Sequence, residues 1–347
     1  MGWRGVCVLL GVMTVASGSL SAAAGRRAEP RPEPDCVRVT GPWAAAPRAS
    51  APRDRDTLSP AQVRGLLDDL RRTLLAKFGT ADEAAFDPAR RPAMAAPVFD
   101  TVKRLDGRIV IPVRFHVITN GRVGRVPKSR VVQQVAALNA AYGGRTGGAD
   151  TGVSFRLTKM SVTANARWFT RPKQNERAMM TALRRGGKGT LNLYSAVIGV
   201  EVLGFSTFPQ WYRGHPGLDG VVVDYRSLPN GGTEHFNRGY TAVHEVGHWL
   251  GLLHTFENGC VPPGDGVADT PYEAAPTEGC PAAGKDTCPA PGADPMHNFM
   301  DYGNDDCMRE FTPGQARRIR ASWAAYRAPA VVTAGAHAQT SARTPSR

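Results

Sequence analysis

Eleven consecutive residues, His244-Glu245-Val246-Gly247-His248-Trp249-Leu250-Gly251-Leu252-Leu253-His254, carry the side chains best suited to chemistry in this chain. On an α-helix His244 and His248, four apart, project from one face about one turn apart, close enough to share a metal ion. Glu245 points off that row toward the open side of such an ion, where a carboxylate can take a proton from water without being a ligand. Gly251 can adopt positive φ, so it ends the helix and lets the chain turn to bring His254 back as a third ligand. Three nitrogen ligands leave one tetrahedral position open, the mark of a catalytic rather than a structural zinc site. With eight His and 38 Gly in 347 residues, chance assembly of His-Glu-x-x-His-x-x-Gly-x-x-His is on the order of one in 100,000. An ordinary amphipathic helix packing through Val243, Val246, Leu250 and Leu253, with incidental histidines, is the weaker reading.

Downstream, Asn298-Phe299-Met300-Asp301-Tyr302-Gly303 places a methionine in a turn. This turn, the long histidine pattern, the flanking Trp249, Thr255-Phe256 and Asp269-Thr270-Pro271, and four nearby cysteines together resemble the pappalysin-like (M43) family of the metzincin zinc metallopeptidases. The resemblance spans roughly residues 100 to 328 and is tightest from 240 to 312. It implies an α/β (α+β) catalytic domain with a mixed, mostly parallel sheet, an active-site helix and an irregular C-terminal subdomain holding the Met-turn. It also implies peptide-bond hydrolysis, with zinc on His244, His248 and His254 and Glu245 as general base. Tyr302 would donate to the developing oxyanion, and Met300 would form a hydrophobic floor under the histidines.

Further expectations rest on the same resemblance. Residues alone leave three pairings open for Cys260, Cys280, Cys288 and Cys307; the family favours Cys260 with Cys288 and Cys280 with Cys307. A second zinc on these cysteines lacks any close C-x-x-C pair. The Gly-rich stretch Gly264 to Pro271 offers hard oxygen ligands suited to calcium, and the family points to Asp265, Asp269 and Thr270. Asp305, followed by Asp306, falls in the segment that walls the pocket beyond the scissile bond, where a carboxylate would favour Arg or Lys on the leaving side.

The surrounding chain must deliver and position this site. Arg4, the apolar run Val6 to Val15 and the small residues that follow read as a secretory signal over residues 1–24, so export makes disulfides the default for the cysteine cluster. Residues 25–98, rich in Pro, Ala and Arg, read as a prosegment. Its one periodic element is a docking helix from Ser59 to Phe78, with Val63, Leu66, Leu67, Leu70, Leu74 and Leu75 on one stripe. Cys36, left unpaired, could supply a thiolate to the zinc and hold the enzyme latent; a free thiol or an intermolecular disulfide are the alternatives. The catalytic domain is placed at 99–328. It opens with a strand over Arg108 to Thr119, followed by a helix over Lys128 to Tyr142 and a strand over Val153 to Val162. A short helix over Asn175 to Arg185 and a strand over Thr190 to Ile198 come next. By the same resemblance, Val202 to Pro209 falls where metzincins place the edge strand that borders the cleft and offers its backbone to a peptide; a plain buried hairpin is the alternative. His116 reads as structural, and His215 and His235 as solvent or loop residues. A last helix runs from Pro313 to about Arg327, capped by Thr312 and packing through Ile319, Trp323 and Tyr326. Residues 329–347 read as a disordered tail.

A formal charge of +13 and a pI near 9.9 raise the question of nucleic acid. The arginines, however, are scattered without aromatic interleaving or a recognition helix, so no specific nucleic-acid partner is expected. No segment beyond the signal approaches the roughly 18 apolar residues of a membrane span. The expected partners are protein or peptide substrates of an exported enzyme. The competing classes are a noncatalytic zinc-stabilised binding protein and a metal hydrolase of non-peptide amides; an intact Glu245 and Tyr302 argue against the first.

Overall fold

In the computed structural model, residues 58–87, 108–199, 202–281 and 284–329 are described, all within one compact unit spanning Pro47–Arg347. The expected signal, Cys36 and the expected disordered tail beyond residue 329 lie outside them. A five-stranded sheet, ordered β2-β1-β3-β5-β4, organises the unit. It consists of β1 (Ile109–Thr119), β2 (Val153–Ala164), β3 (Leu191–Ala196), β4 (Gly204–Ser206) and β5 (Val221–Asp224). All neighbours run parallel except β4, which pairs antiparallel with β5 at the outer edge. The mixed, mostly parallel sheet is therefore present, and the anticipated edge strand is only three residues long.

β1 alternates Ile109, Ile111, Val113, Phe115 and Val117 into the core, as period-two patterning requires. The α2 helix (Lys128–Tyr142) matches its sequence boundaries and buries Val131, Val135 and Leu138. It also holds the active-site helix α5 (Tyr240–Trp249). Tyr142 Oη donates to Val243 O at 3.0 Å, and Gln134 Nε2 donates to Gly239 O at 2.9 Å. Between these elements lie α3 (Ala166–Thr170) and α4 (Glu176–Leu183). The α3 turn has no counterpart in the sequence reading, because five residues carry too little periodicity; Asn165 caps it through Trp168 N.

The N-terminal helix α1 (Pro60–Phe78) opens with Ser59 and Gln62 in a capping box. Val63, Leu66, Leu70 and Leu74 are buried, whereas Leu75 is exposed, so the packed stripe is narrower than the leucine spacing suggests. Val63 and Leu66 pack on Phe208 and Leu253, next to the histidine segment. Leu70, Leu74 and Phe86 join the main core. The last helix, α6 (Pro313–Ser322), has its own capping box through Thr312 and Gln315 and widens to a π-turn at Trp323–Arg327. Ile319 and Trp323 are buried; Tyr326 is half-buried and donates its hydroxyl to Asp69 at 2.8 Å. Cys260–Cys288 and Cys280–Cys307 are both disulfide-bonded, in the interleaved pairing.

Candidate metal centre and active site

Helix α5 presents His244 and His248 on one face and stops after Trp249; Gly251, at φ +96°, turns the chain toward His254. The three rings then converge. His248 Nε2 lies 3.1 Å from both His244 Nε2 and His254 Nε2. Two nitrogens bonded to a common tetrahedral zinc at 2.0–2.1 Å would stand about 3.3 Å apart, so the donor set fits that ion. The outward nitrogens fix the tautomers. His244 Nδ1 donates to Phe299 O at 2.7 Å and His248 Nδ1 donates to Leu252 O at 2.8 Å, leaving both Nε2 lone pairs facing the centre. His254 Nδ1 meets a carboxylate instead, Glu257 Oε2, at 3.2 Å. Among the described residues, these histidines are the one group of three or more His, Cys, Asp or Glu side chains close enough to share an ion.

Below the rings runs the Met-turn. Met300 is fully buried with its sulfur against Gly247, where a Cβ would overlap Sδ. Its position is set by Asn298, whose Oδ1 accepts from Met300 N at 2.9 Å and whose amide pairs reciprocally with Gln315 on α6. Met300 O accepts Thr255 N–H at 3.2 Å, tying the turn to the residue after the third histidine. Tyr302 Oη lies 3.3 Å from His254 Nε2, and Phe256 stacks on the His254 ring with centroids 4.7 Å apart. On the opposite side Phe208 contacts the His248 ring, with centroids at 5.3 Å.

One pocket gathers Leu203, His244, Glu245, Tyr302 and Asp305. Glu245 is 1% exposed and lies against the edge strand at Gly204. Asp305 is equally buried, and one of its oxygens accepts Arg238 N–H at 2.7 Å, at the start of α5. Burial raises its pKa to about 7, against the pull of the Arg238 and Tyr240 amides and the Arg238 charge. Asp306 instead pairs with the Arg238 guanidinium.

The remaining candidates fall elsewhere. Asp265 is buried, accepts Val267 N–H at 2.9 Å, and is raised by burial to a pKa of about 7. Asp269 spends its oxygens on Thr312 Oγ1 and Gly314 N, both at 2.7 Å, at the start of α6. Thr270 is buried nearby. His116 is structural, as read. Its Nδ1 meets Ser161 Oγ at 2.8 Å, its ring stacks on Tyr194, and burial lowers its pKa. His215 and His235 are exposed. The sequence reading passed over Glu257, three residues after the last histidine, where a turn can bring a carboxylate back onto the ring. It also passed over Gly204, whose contact with Glu245 has no signal in one dimension.

Residues 201–324 match the family profile described as Peptidase M43, pregnancy-associated plasma protein-A. An extracellular metalloprotease of Trichophyton verrucosum is 42% identical over 231 residues, 65% of this chain and 81% of that protein. One of Verticillium alfalfae is 41% identical over 254 residues, 71% of this chain and 89% of that protein. Among solved structures, mature mirolysin of Tannerella forsythia in complex with a cleaved peptide superposes with a TM-score of 0.54 at 27% identity. The match covers 62% of this chain and 91% of mirolysin.

Proposed function

The chain belongs to the pappalysin-like family of metzincin zinc metalloendopeptidases, and from that footing we propose that Glu245 is its general base and that it prefers Arg or Lys on the leaving side. The observation that carries the reading is the convergence of three buried Nε2 atoms, with His244 lining one pocket together with the Glu245 carboxylate and the Tyr302 phenol. Bound zinc would supply Lewis acidity, acidifying a water and polarising the scissile carbonyl. Glu245 takes the attacking water's proton and passes it to the leaving amine. Tyr302 Oη donates toward the oxygen that gains charge. The free edge of β4 offers main-chain donors and acceptors to an extended peptide, and Asp305 pairs with a basic side chain in the pocket.

Around this core the reading adds export as a precursor. The relatives are named extracellular, and no described helix is long and apolar enough to cross a membrane. Residues 25–98 act as a prosegment whose helix docks beside the histidines, and Cys36 supplies a latency thiolate. Calcium sits in the 264–271 loop, with Asp265, Asp269 and Thr270 as its ligands; the buried Asp265 carboxyl supports this. Raised stability on adding calcium to zinc-loaded, EGTA-treated protein would bear it out, and unchanged stability would sink it. Processing and latency rates that survive Cys36→Ala intact would remove the switch. The central test is casein cleavage that vanishes with a chelator and with Glu245→Ala. A zinc-loaded wild type, freed of its N-terminal segment and still inert, would leave the binding-protein reading standing.

A further inference from the structure

Strand β4 carries Phe205 into the core between Gly204 and Ser206, which face the opposite side of the sheet, and helix α5 packs there. Gly204 is not at positive φ, so its backbone conformation does not call for glycine. Space does. A Cβ at position 204 would overlap Glu245 Oε1 and stand 2.6 Å from Cγ and 2.7 Å from Cδ, all atoms of a single side chain. Glu245 leaves the middle of a helix held by Tyr142 and Gln134 and lines the pocket, so the overlap would be relieved by moving its carboxyl rather than the main chain of α5 or β4. The main chain of the sheet's outer edge is thereby laid directly on the carboxylate.

We propose that Gly204 is a positioning residue for Glu245: the absent side chain forms the niche in which the base's carboxyl rests. Because, among the described residues, β4 pairs with β5 on one side only, a peptide aligned on its other edge is placed in register with that same carboxyl. A methyl group at 204 would push the carboxyl out of line while leaving the three histidines, which contact other elements, where they are. Misplacement of a catalytic group on the ångström scale costs rate rather than binding.

The proposal rests on the protease reading for its kinetic arm alone. Gly204→Ala is expected to lower kcat about tenfold or more with KM within about twofold, and to retain wild-type zinc affinity in competition with a chromogenic chelator. Its second arm is stability. Gly204→Ala lowers Tm, and adding Glu245→Ala restores it, because the overlap is with that one side chain. An alanine at the exposed Gly232, where a Cβ meets nothing within 4 Å and φ is not positive, controls for generic glycine effects. Wild-type kcat in Gly204→Ala, a loss confined to KM, or a Tm deficit that Glu245→Ala fails to recover would each overturn the proposal. The Tm cycle decides the matter even for a protein without peptidase activity, so the two failures are distinguishable.

Discussion

Glu257 Oε2 lies 3.2 Å from His254 Nδ1, whereas the corresponding nitrogens of His244 and His248 meet main-chain carbonyls. Of the three histidines, His254 alone thus leans on a carboxylate, and Glu257 is itself buried in the turn that follows. Carboxylate partners fix ring orientation and raise ligand basicity, and their loss typically costs 10–100-fold in metal affinity. Glu257→Ala should weaken zinc binding by about tenfold or more, with Glu257→Gln intermediate because an amide oxygen still accepts. Chelator competition measures this; wild-type zinc affinity in Glu257→Ala would show that the contact does not tune the site.

A second layer lies behind the same histidine. Lys285 Nζ sits 2.7 Å from Glu273 Oε1 and 3.2 Å from Asp294 Oδ2, both buried, while Glu273 Oε2 accepts from Thr255 Oγ1, beside His254, at 2.8 Å. Removing one partner of a buried pair leaves an uncompensated charge, a loss of about 3 kcal/mol for a cation that retains some solvent contact. Lys285→Met should therefore lower thermal stability by several degrees, and Lys285→Arg by less. A Tm within about a degree of wild type for Lys285→Met would mean that the carboxylates are neutralised some other way.

What was legible in one dimension was whatever repeats or matches a fixed spacing. Helix α2 reads cleanly because Val131, Val135 and Leu138 recur at helical period. The cluster of three histidines reads cleanly because its spacing along a helix and turn is what brings the rings together. What depends on two distant segments meeting did not read. Trp249 donates its indole N–H to Asp219, and Arg327 lies 3.5 Å above that ring and pairs with the same aspartate; 78 residues separate Trp249 from Arg327. Likewise, the acidic Gly264–Pro271 loop gives no sign that Asp269 caps α6. Gly204 looks like any strand glycine until Glu245 is placed against it.

Asp305 makes the specificity reading pH-dependent. Its folded pKa is raised to about 7 from an ordinary 3.8 by burial, with Arg238, Tyr240 and Asp306 around it. Between those values the folded state holds a proton that the unfolded chain releases. Stability from this group therefore falls as pH rises from about 4 to about 7 and is flat above. The ionised form that attracts a basic side chain appears over the upper part of that range. The ratio of kcat/KM for Arg over Leu on the leaving side should rise as pH passes through about 7, and Asp305→Asn should flatten it. A ratio independent of pH in the wild type would remove Asp305 from specificity.

Tyr302 offers the sharpest separation of roles, because its hydroxyl lies 3.3 Å from His254 Nε2 while its ring is packed between Phe256 and the histidines. Tyr302→Phe keeps the ring and deletes only the donor, so packing and zinc affinity should be untouched. If the phenol serves charge that develops in the transition state, kcat should fall about 100–1000-fold with KM little changed, the range found when one oxyanion donor is removed. If the hydroxyl instead holds ground-state substrate, KM should rise at constant kcat. If it merely packs, neither should move. Steady-state kinetics on one fluorogenic peptide, paired with zinc content per molecule, separates the three outcomes, and only the first is compatible with Tyr302 acting on the reacting atoms.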